Sequence, residues 1–162
     1  MFDTNVFSDL IYKKKTLIEI SKKYSIYVTT IQLEEIAEIP DSNIEKRKQN
    51  LFVLATARVT FVPISVFVLG KARLDLARLG NGEVYNKILN KTKTNVNDAI
   101  IADTSVFEAC TLVTSDIKLY NKMKRNGYDV ITAEELFNSI DKVGDLIWKY
   151  LLMNQETREQ LL

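Results

Sequence analysis

Two kinds of hydrophobic pattern alternate along the chain. Short runs of apolar, β-branched and aromatic residues predict strands. These runs are Met1–Phe2, Ile26–Thr29, Val59–Ser65, Leu112–Thr114 and Val130–Ile131. Longer stretches with apolar residues at helical spacing predict helices between them. These stretches are Asn5–Tyr24, a segment around Leu33 that ends before Pro40, Asn43–Ala57, Arg73–Leu79, Asn97–Cys110, Ile117–Arg125 and Ile140–Leu162.

Local signals define several helix ends and faces. Gly80 and Gly127 predict the ends of the helices that precede them. Thr132 and Glu135 form the Thr-x-x-Glu pattern of a capping box, which predicts a further helix after the last strand. Two helices carry side chains predicted to face the core, namely Leu33, Ile36, Ala37, Ile100, Ile101, Ser105 and Phe107.

Strands that are separated by helices pair in parallel through right-handed crossovers. The pattern therefore predicts an α/β fold, a three-layer α/β/α sandwich with a central parallel sheet. Residues 1–140 would form this domain, and residues 141–162 would be its C-terminal helical extension, which either closes the sheet or forms a dimer surface. Such sheets bind ligands beyond the carboxyl ends of their strands. Asp3 and Asp116 directly follow two of the predicted strands.

Composition narrows the chemistry that the chain can perform. It has 162 residues, of which 46% are apolar, and this suits one compact domain. Lys and Arg number 22 against 21 Asp and Glu, so net charge does not indicate a simple electrostatic binder of nucleic acid. Histidine is absent and there is one cysteine, which excludes histidine-based triads and zinc sites built from histidine or four thiolates. Hydrolysis would need carboxylates, hydroxyls, lysines or an oxygen-ligated metal.

The setting predicted from the sequence is cytoplasmic. Cys110 lies in an apolar run and has no second cysteine to pair with, which favours a reducing environment. The longest apolar stretch, Phe61–Leu69, is too short to span a bilayer. The N-terminal residues have neither a basic leader nor a long apolar segment, so we expect no signal peptide and no membrane association.

Four acidic residues are the candidate catalytic groups, although each also has a purely structural explanation. Asp3 and Asp116 are placed to cap helices, and Asp98 lies in a first helical turn, where negative charge is favourable. Glu35 is also compatible with an ordinary solvated position on its helix. Taken together, however, the acids follow an ordered pattern: Asp3-Thr4-Asn5, then Glu35 in the second long helical segment, then Asp98-Ala99-Ile100-Ile101-Ala102, then Thr114-Ser115-Asp116.

This ordered set resembles the PIN-domain family, which includes VapC-type toxins, over roughly residues 1–136. The family has an Asp-x-Asn after its first strand, a Glu in its second helix, an Asp-Ala-x-Ile-Ala helix start and a Thr-x-Asp after a later strand. The resemblance implies that the first and fourth strands lie side by side and bring the acids together. It also implies a metal-dependent endoribonuclease, with RNA as substrate, an antitoxin as possible partner and a homodimer as the expected assembly.

The resemblance further implies a role for each residue. Asp3, Asp98 and Asp116 would bind the metal directly, with Glu35 acting through water. Asn5 and Thr114 would position the acids by hydrogen bonds. Carboxylate oxygens crowded in one cleft would need a cation, and hard ligands select Mg²⁺ or Mn²⁺.

Further acidic and basic residues lie near the four candidate acids in the sequence. Glu34 competes with Glu35 for the site, and helical phase favours Glu35. Asp103 is expected to be a solvated or capping acid off the site. Lysines that flank the acids, and could contact phosphates, are Lys91, Lys93 and Lys118.

Three other functions compete with a metal-dependent ribonuclease. A phosphatase of the haloacid dehalogenase type needs a second Asp two positions after the first, where this chain has Asn5. A phospho-receiver domain needs an Asp after the third strand, and Ile64-Ser65 offers none. A non-catalytic PIN-like module that binds RNA or a protein is the main alternative.

Overall fold

The computed structural model describes residues 1–13, 17–56, 58–73, 75–89 and 95–140. The helices are α1 (Thr4–Tyr12), α2 (Leu17–Ser21), α3 (Thr30–Ala37), α4 (Ile44–Thr56), α5 (Glu83–Leu89), α6 (Val96–Phe107) and α7 (Ile117–Arg125). The strands are β1 (Ile26–Val28), β2 (Val59–Phe61), β3 (Leu112–Thr114) and β4 (Val130–Thr132). A short 3₁₀ turn covers Asp41–Asn43, and residues 133–140 are helical. Within these described residues, no helix is both long and apolar enough to cross a membrane.

The strands form two parallel pairs, and the N-terminal residues lie between them. β1 pairs with β2, and β3 pairs with β4. Phe2 makes a parallel bridge to Val113 of β3, and the backbone N–H of Phe2 donates to the carbonyl of Tyr27 in β1 at 3.3 Å. The backbone N–H of Asp3 donates to the carbonyl of Val113 at 2.9 Å. The predicted α/β class with parallel strands is therefore confirmed, and residues 1–3 link the two pairs.

The buried residues form two hydrophobic clusters that take alternate residues of the strands. Leu112 belongs to one cluster and Val113 to the other, and Met1 and Phe2 divide in the same way. Alternation is what a strand produces, because successive side chains point to opposite faces. Helices α5, α6 and α7 contribute to the first cluster, and helices α1, α2 and α4 and the helical residues 133–140 contribute to the second, while α3 contributes Ile31 to the first and Ile36 to the second.

Several predicted boundaries are confirmed by local hydrogen bonds. β3 covers Leu112–Thr114 and α7 covers Ile117–Arg125, as expected, and Gly127 after α7 has a φ of +75° that favours glycine. Thr132 and Glu135 form the expected capping box: the Thr132 N–H donates to Glu135 Oε2 at 2.7 Å, and the Glu135 N–H donates to Thr132 Oγ1 at 3.1 Å. Such caps depend only on neighbouring residues, which is why sequence identifies them.

Other predicted elements are wrong. The helix expected over Asn5–Tyr24 ends at Tyr12 and a separate helix begins at Leu17. The helix expected over Arg73–Leu79 is absent from the described residues of that segment, where Ala77 instead bridges to Ile64 in parallel. The tertiary pairing of this segment overrides its helical spacing of apolar residues. Helix α5 was not predicted.

Three side chains expected in the core are exposed. Leu33 is 37% exposed, Phe107 is 54% exposed, and Ala37 is exposed as well. The buried face of α3 is formed by Ile31, Gln32 and Ile36 instead. The predicted extension over residues 141–162 lies outside the described residues.

Candidate active site

Asp3 is held at the carboxyl end of the N-terminal segment by three donors. Its Oδ1 accepts from the Thr4 N–H at 2.7 Å. Its Oδ2 accepts from Asn5 Nδ2 at 2.8 Å and from Thr114 Oγ1 at 2.6 Å. Asn5 and Thr114 thus make the hydrogen bonds that were expected of positioning residues. The side chain is buried, and this burial raises the pKa of Asp3, although the hydrogen bonds from Thr114 and Thr4 oppose the shift.

Glu35 faces the same region from α3, which begins at the carboxyl end of β1. Thr4 Oγ1 donates to Glu35 Oε2, and Asn97 Nδ2 donates to Oε1 at 2.7 Å. Gln32 fixes this helix against the N-terminal segment, because its Nε2 donates to the Phe2 carbonyl at 2.7 Å. Helix α3 thus presents Glu35 beside Thr4 and Asn97, which are the sequence neighbours of Asp3 and Asp98.

Glu34 has a different environment from Glu35. Its Oε1 accepts from Arg73 at 3.3 Å, and its side chain is partly exposed. It does not belong to the described lining of the cleft that contains Glu35. The preference for Glu35 that came from helical phase therefore agrees with the structure.

Asp98 lies in the first turn of α6, and the charges of the other three acids raise its pKa. Burial is the largest cause that raises the pKa of Asp98 from 3.8 to about 7. The next causes are the charges of three carboxylates, those of Asp3, Glu35 and Asp116. Lys122 acts in the opposite direction. No donor from the described part of the chain forms a hydrogen bond with the Asp98 carboxyl, so nothing there offsets the repulsion except this cation.

Asp116 caps α7 and is joined to Asp3 through one side chain. Its Oδ1 accepts from the backbone N–H of Lys118 at 2.6 Å and of Leu119 at 3.2 Å. Thr114 Oγ1 accepts from the Asp116 N–H at 3.0 Å while donating to Asp3. Asp116 therefore has a capping role in addition to its electrostatic effect on Asp98.

Three of the four acids, Asp3, Glu35 and Asp98, line an open cleft of about 310 Å³, and Asp116 is not part of its described lining. Its lining residues come from α1, α3, α4 and α6 and from the segments next to them: Asp3, Thr4, Asn5, Ser8, Glu35, Ile39, Lys46, Asn50 and Asp98. Sequence reasoning missed Ser8, Lys46 and Asn50. A signal existed for Asn50, because it lies four residues before the buried Leu54 and hence on the apolar face of α4.

A larger cleft of about 470 Å³ lies elsewhere, and the acids that line it already accept hydrogen bonds. Asp129 and Glu135 are the acids in its described lining. Asp129 accepts from the Thr111 hydroxyl, and Glu135 is used in the capping box. The smaller cleft is therefore the candidate active site.

The donor set of this cleft suits a hard divalent cation. The acids offer oxygen atoms alone, and Mg²⁺ commonly binds through one or two carboxylates while it keeps several waters. Asp98, which has no hydrogen-bond donor among the described residues, is the side chain that a cation would stabilise most. No three Asp, Glu, His or Cys side chains of the described chain are grouped so that they could hold a metal ion, so a cation in this cleft would have to be held by fewer than three of them together with water.

The structure describes two of the four other residues that the sequence analysis singled out, Asp103 and Lys118. Asp103 is buried rather than solvated, at 6% exposure, and it accepts from the Ser65 hydroxyl. It has a capping role on a neighbouring helix, because it accepts from the Tyr85 N–H in the first turn of α5 at 2.9 Å. It thus fastens the start of α5 to α6. Lys118 is exposed at the start of α7. Lys91 and Lys93 lie outside the described residues.

Comparison with known proteins identifies no family for this chain. No family model matches the chain, and no curated protein matches it.

Proposed function

We propose that this protein hydrolyses RNA with the help of a divalent metal ion, as the resemblance to PIN-domain ribonucleases implies. The observation that carries the proposal is electrostatic. Residues 3, 35, 98 and 116 are far apart in sequence, yet the first three share one cleft and all the others raise the pKa of Asp98. Natural folds rarely gather unpaired carboxylates unless a cation or a reaction uses them.

The fold that goes with this function is a three-layer α/β/α sandwich with a central parallel sheet. Two facts support it. Residues 1–3 hydrogen-bond to β1 on one side and to β3 on the other, which places the two strand pairs next to the same segment. The two hydrophobic clusters take alternate strand residues, so each face of the strands is covered by a separate cluster.

The acids would divide the work by their environments. Asp98 and Asp3 would hold a Mg²⁺ or Mn²⁺ ion, and Glu35 would contact it through water. Asp116, which is outside the described lining of the cleft, would add negative charge. When bound, the ion would supply positive charge that polarises the phosphate and favours ionisation of the attacking water. Glu35 is kept in one orientation by Thr4 and Asn97, which suits a group that orients water.

The cations next to the acids would contact the RNA backbone. Lys122 Nζ donates to the Ile88 carbonyl at 2.9 Å and lowers the pKa of Asp98, which indicates that its charge lies near the cleft. Lys118 lies one helical turn before it on α7. Both could bind phosphates as point charges.

One observation favours a non-catalytic RNA-binding or protein-binding module instead. Both oxygens of Asp3 and both oxygens of Glu35 already accept hydrogen bonds from the protein. Such acids can serve as fixed structural groups. The two functions differ in turnover, which is measured directly.

The test is cleavage of labelled single-stranded RNA and of DNA of the same sequence. We expect the protein to cut RNA with Mg²⁺ or Mn²⁺ and to stop when a chelator is added. Asp98→Asn should lose at least about a hundredfold in rate, because a charge that contacts the reacting centre is removed. The matched control is Asp75→Asn, which changes an exposed acid without a hydrogen bond or ion pair within the described residues.

The outcomes separate the candidates. Undiminished cleavage by a folded Asp98→Asn variant would remove the proposed mechanism. RNA binding without cleavage by the unmodified protein, under every divalent ion tried, would support the non-catalytic module. Circular dichroism of each variant shows whether it is folded.

A further inference from the structure

The acidic cleft has a second group of lining residues that the proposed hydrolysis does not use. Ser8 comes from α1, and Lys46 and Asn50 come from α4. Asn50 Nδ2 donates to Ser8 Oγ at 3.3 Å, which joins the two helices at this point. The cleft therefore continues from the carboxylates onto a wall that contains an amide, a hydroxyl and a cation.

Asn50 has an unused acceptor in this wall. The residue is 1% exposed, and its Oδ1 has no hydrogen-bond partner among the residues that the structure describes. A buried amide oxygen without a donor is unfavourable, and nearly all such atoms in folded proteins find a partner. Because Asn50 is one of the residues that line the cleft, the missing donor can come from a ligand that is bound there.

Lys46 supplies an unpaired positive charge one helical turn before Asn50. Its side chain is exposed, and no carboxylate of the described chain forms an ion pair with it. The nearby Lys48 differs, since its Nζ lies 2.9 Å from Glu45 Oε1 and it lines another cleft on α4. A free cation beside a carboxylate cleft is suited to the phosphate of a chain that enters this cleft.

We propose that Lys46 and Asn50 form a subsite for a ribonucleotide next to the scissile phosphate. Lys46 binds a backbone phosphate, and the ribose 2′-hydroxyl donates to Asn50 Oδ1. The subsite rests on the proposed function, because it requires a polynucleotide in the acidic cleft. It makes the protein selective for RNA over DNA, since deoxyribose has no such donor. It needs no particular base.

The test measures binding, so that it does not depend on turnover. An Asp98→Asn parent is titrated without divalent ions into labelled single-stranded RNA and into the same sequence as DNA, with fluorescence anisotropy as the readout. We expect RNA to bind about five- to tenfold more tightly, which corresponds to one hydrogen bond to a buried group. A series of RNAs with one 2′-deoxy position each should assign most of this preference to one nucleotide.

Two variants of that parent locate the contacts. Asn50→Leu, which has similar volume and no acceptor, should weaken RNA binding, leave DNA binding unchanged and abolish the effect of the critical 2′-deoxy position. Lys46→Gln should reduce the slope of log affinity against log salt by about 0.7, the value for one phosphate contact on a single strand. Lys48→Gln is the matched control on the same helix and should leave this slope unchanged.

Several results would overturn the subsite. These are equal affinity for RNA and DNA, no sensitive position in the 2′-deoxy series, an equal loss for both nucleic acids in Asn50→Leu, or no RNA binding at all. The 2′-deoxy series uses the parent protein, so it decides the matter even if Asn50→Leu does not fold. If the unmodified protein fails to cleave RNA while the 2′-hydroxyl preference persists, hydrolysis is excluded and the subsite stands.

Discussion

Replacement of Asp98 by Asn should make the protein more stable, and the gain should depend on pH. The folded-state pKa of Asp98 is raised to about 7 from 3.8 by burial and by its neighbouring carboxylates. Between these values the folded state binds more protons than the unfolded state, so stability falls as pH rises. The ionised carboxyl therefore destabilises the fold fully above about pH 7 and not at all below about pH 4. Asparagine removes the charge and keeps the shape.

The magnitude follows from the same shift. A pKa that rises from 3.8 to about 7 corresponds to about 4 kcal/mol of unfavourable free energy for the ionised form. Asp98 is only partly buried, so solvent screens much of this repulsion. We therefore expect Asp98→Asn to gain about 1–2 kcal/mol in the free energy of unfolding above neutral pH.

The assay is urea denaturation followed by circular dichroism, at intervals from about pH 4 to about pH 8. The free energies of the two proteins should converge at the acid end and separate towards neutral pH. Asp75→Asn should run parallel to the unmodified protein throughout. Mg²⁺ should stabilise the unmodified protein at neutral pH more than Asp98→Asn, since the variant lacks the charge that attracts the ion. Parallel curves for Asp98→Asn and the unmodified protein would show that burial and the other three carboxylates do not raise the pKa of Asp98.

Two further substitutions test the contacts that hold the site. Thr114→Val removes the donor to Asp3 Oδ2 and the acceptor for the Asp116 N–H, so it should cost about 1–3 kcal/mol in urea denaturation and raise the pKa of Asp3 further. A loss below about 0.5 kcal/mol would contradict this, because a buried carboxyl would then have lost a hydrogen bond at no cost. Gly80→Ala should cost about 1–3 kcal/mol, since the new Cβ would lie 2.3 Å from the Ser65 carbonyl oxygen. An unchanged melting temperature for Gly80→Ala would mean that this close approach does not exist in solution.

Much of the fold was predictable because its signals are local. The capping box at Thr132 and the glycine after α7 involve residues a few positions apart, and both were identified correctly. The run Leu112–Thr114 is apolar and β-branched, and it is a strand buried on both faces. Consecutive apolar residues, here Leu112 and Val113, are typical of a parallel strand that is covered on both faces.

Non-local pairing accounts for the errors. Ala77 lies in a segment with helical spacing, but it bridges to Ile64, so the segment is extended there. Phe107 was expected in the core, yet α6 ends at this residue and the ring lies under the Arg78 guanidinium at 4.7 Å. Which face of a helix is buried depends on what packs against it, and periodicity alone does not reveal that.

In the candidate site, too, local motifs were predictable from the sequence and long-range contacts were not. The order and spacing of Asp3, Glu35, Asp98 and Asp116 predicted which carboxylates to examine, and the hydrogen bonds of Asn5 and Thr114 to Asp3 were anticipated from the motif. The sequence did not indicate the wall that completes the cleft, because Ser8 and Asn50 are 42 positions apart and are joined by one side-chain hydrogen bond.

The sequence by itself determined the residue types, the absence of histidine and the parallel α/β class, since these follow from composition and from patterns a few residues long. Only the tertiary structure decided which charges interact, because the pKa of Asp98 depends on burial and on carboxylates from three distant segments. It also decided that Asp103 is buried and that Asn50 Oδ1 has no hydrogen-bond partner in the described part of the chain. Burial and unsatisfied hydrogen bonds are properties of the packed chain, and no single stretch of sequence contains them.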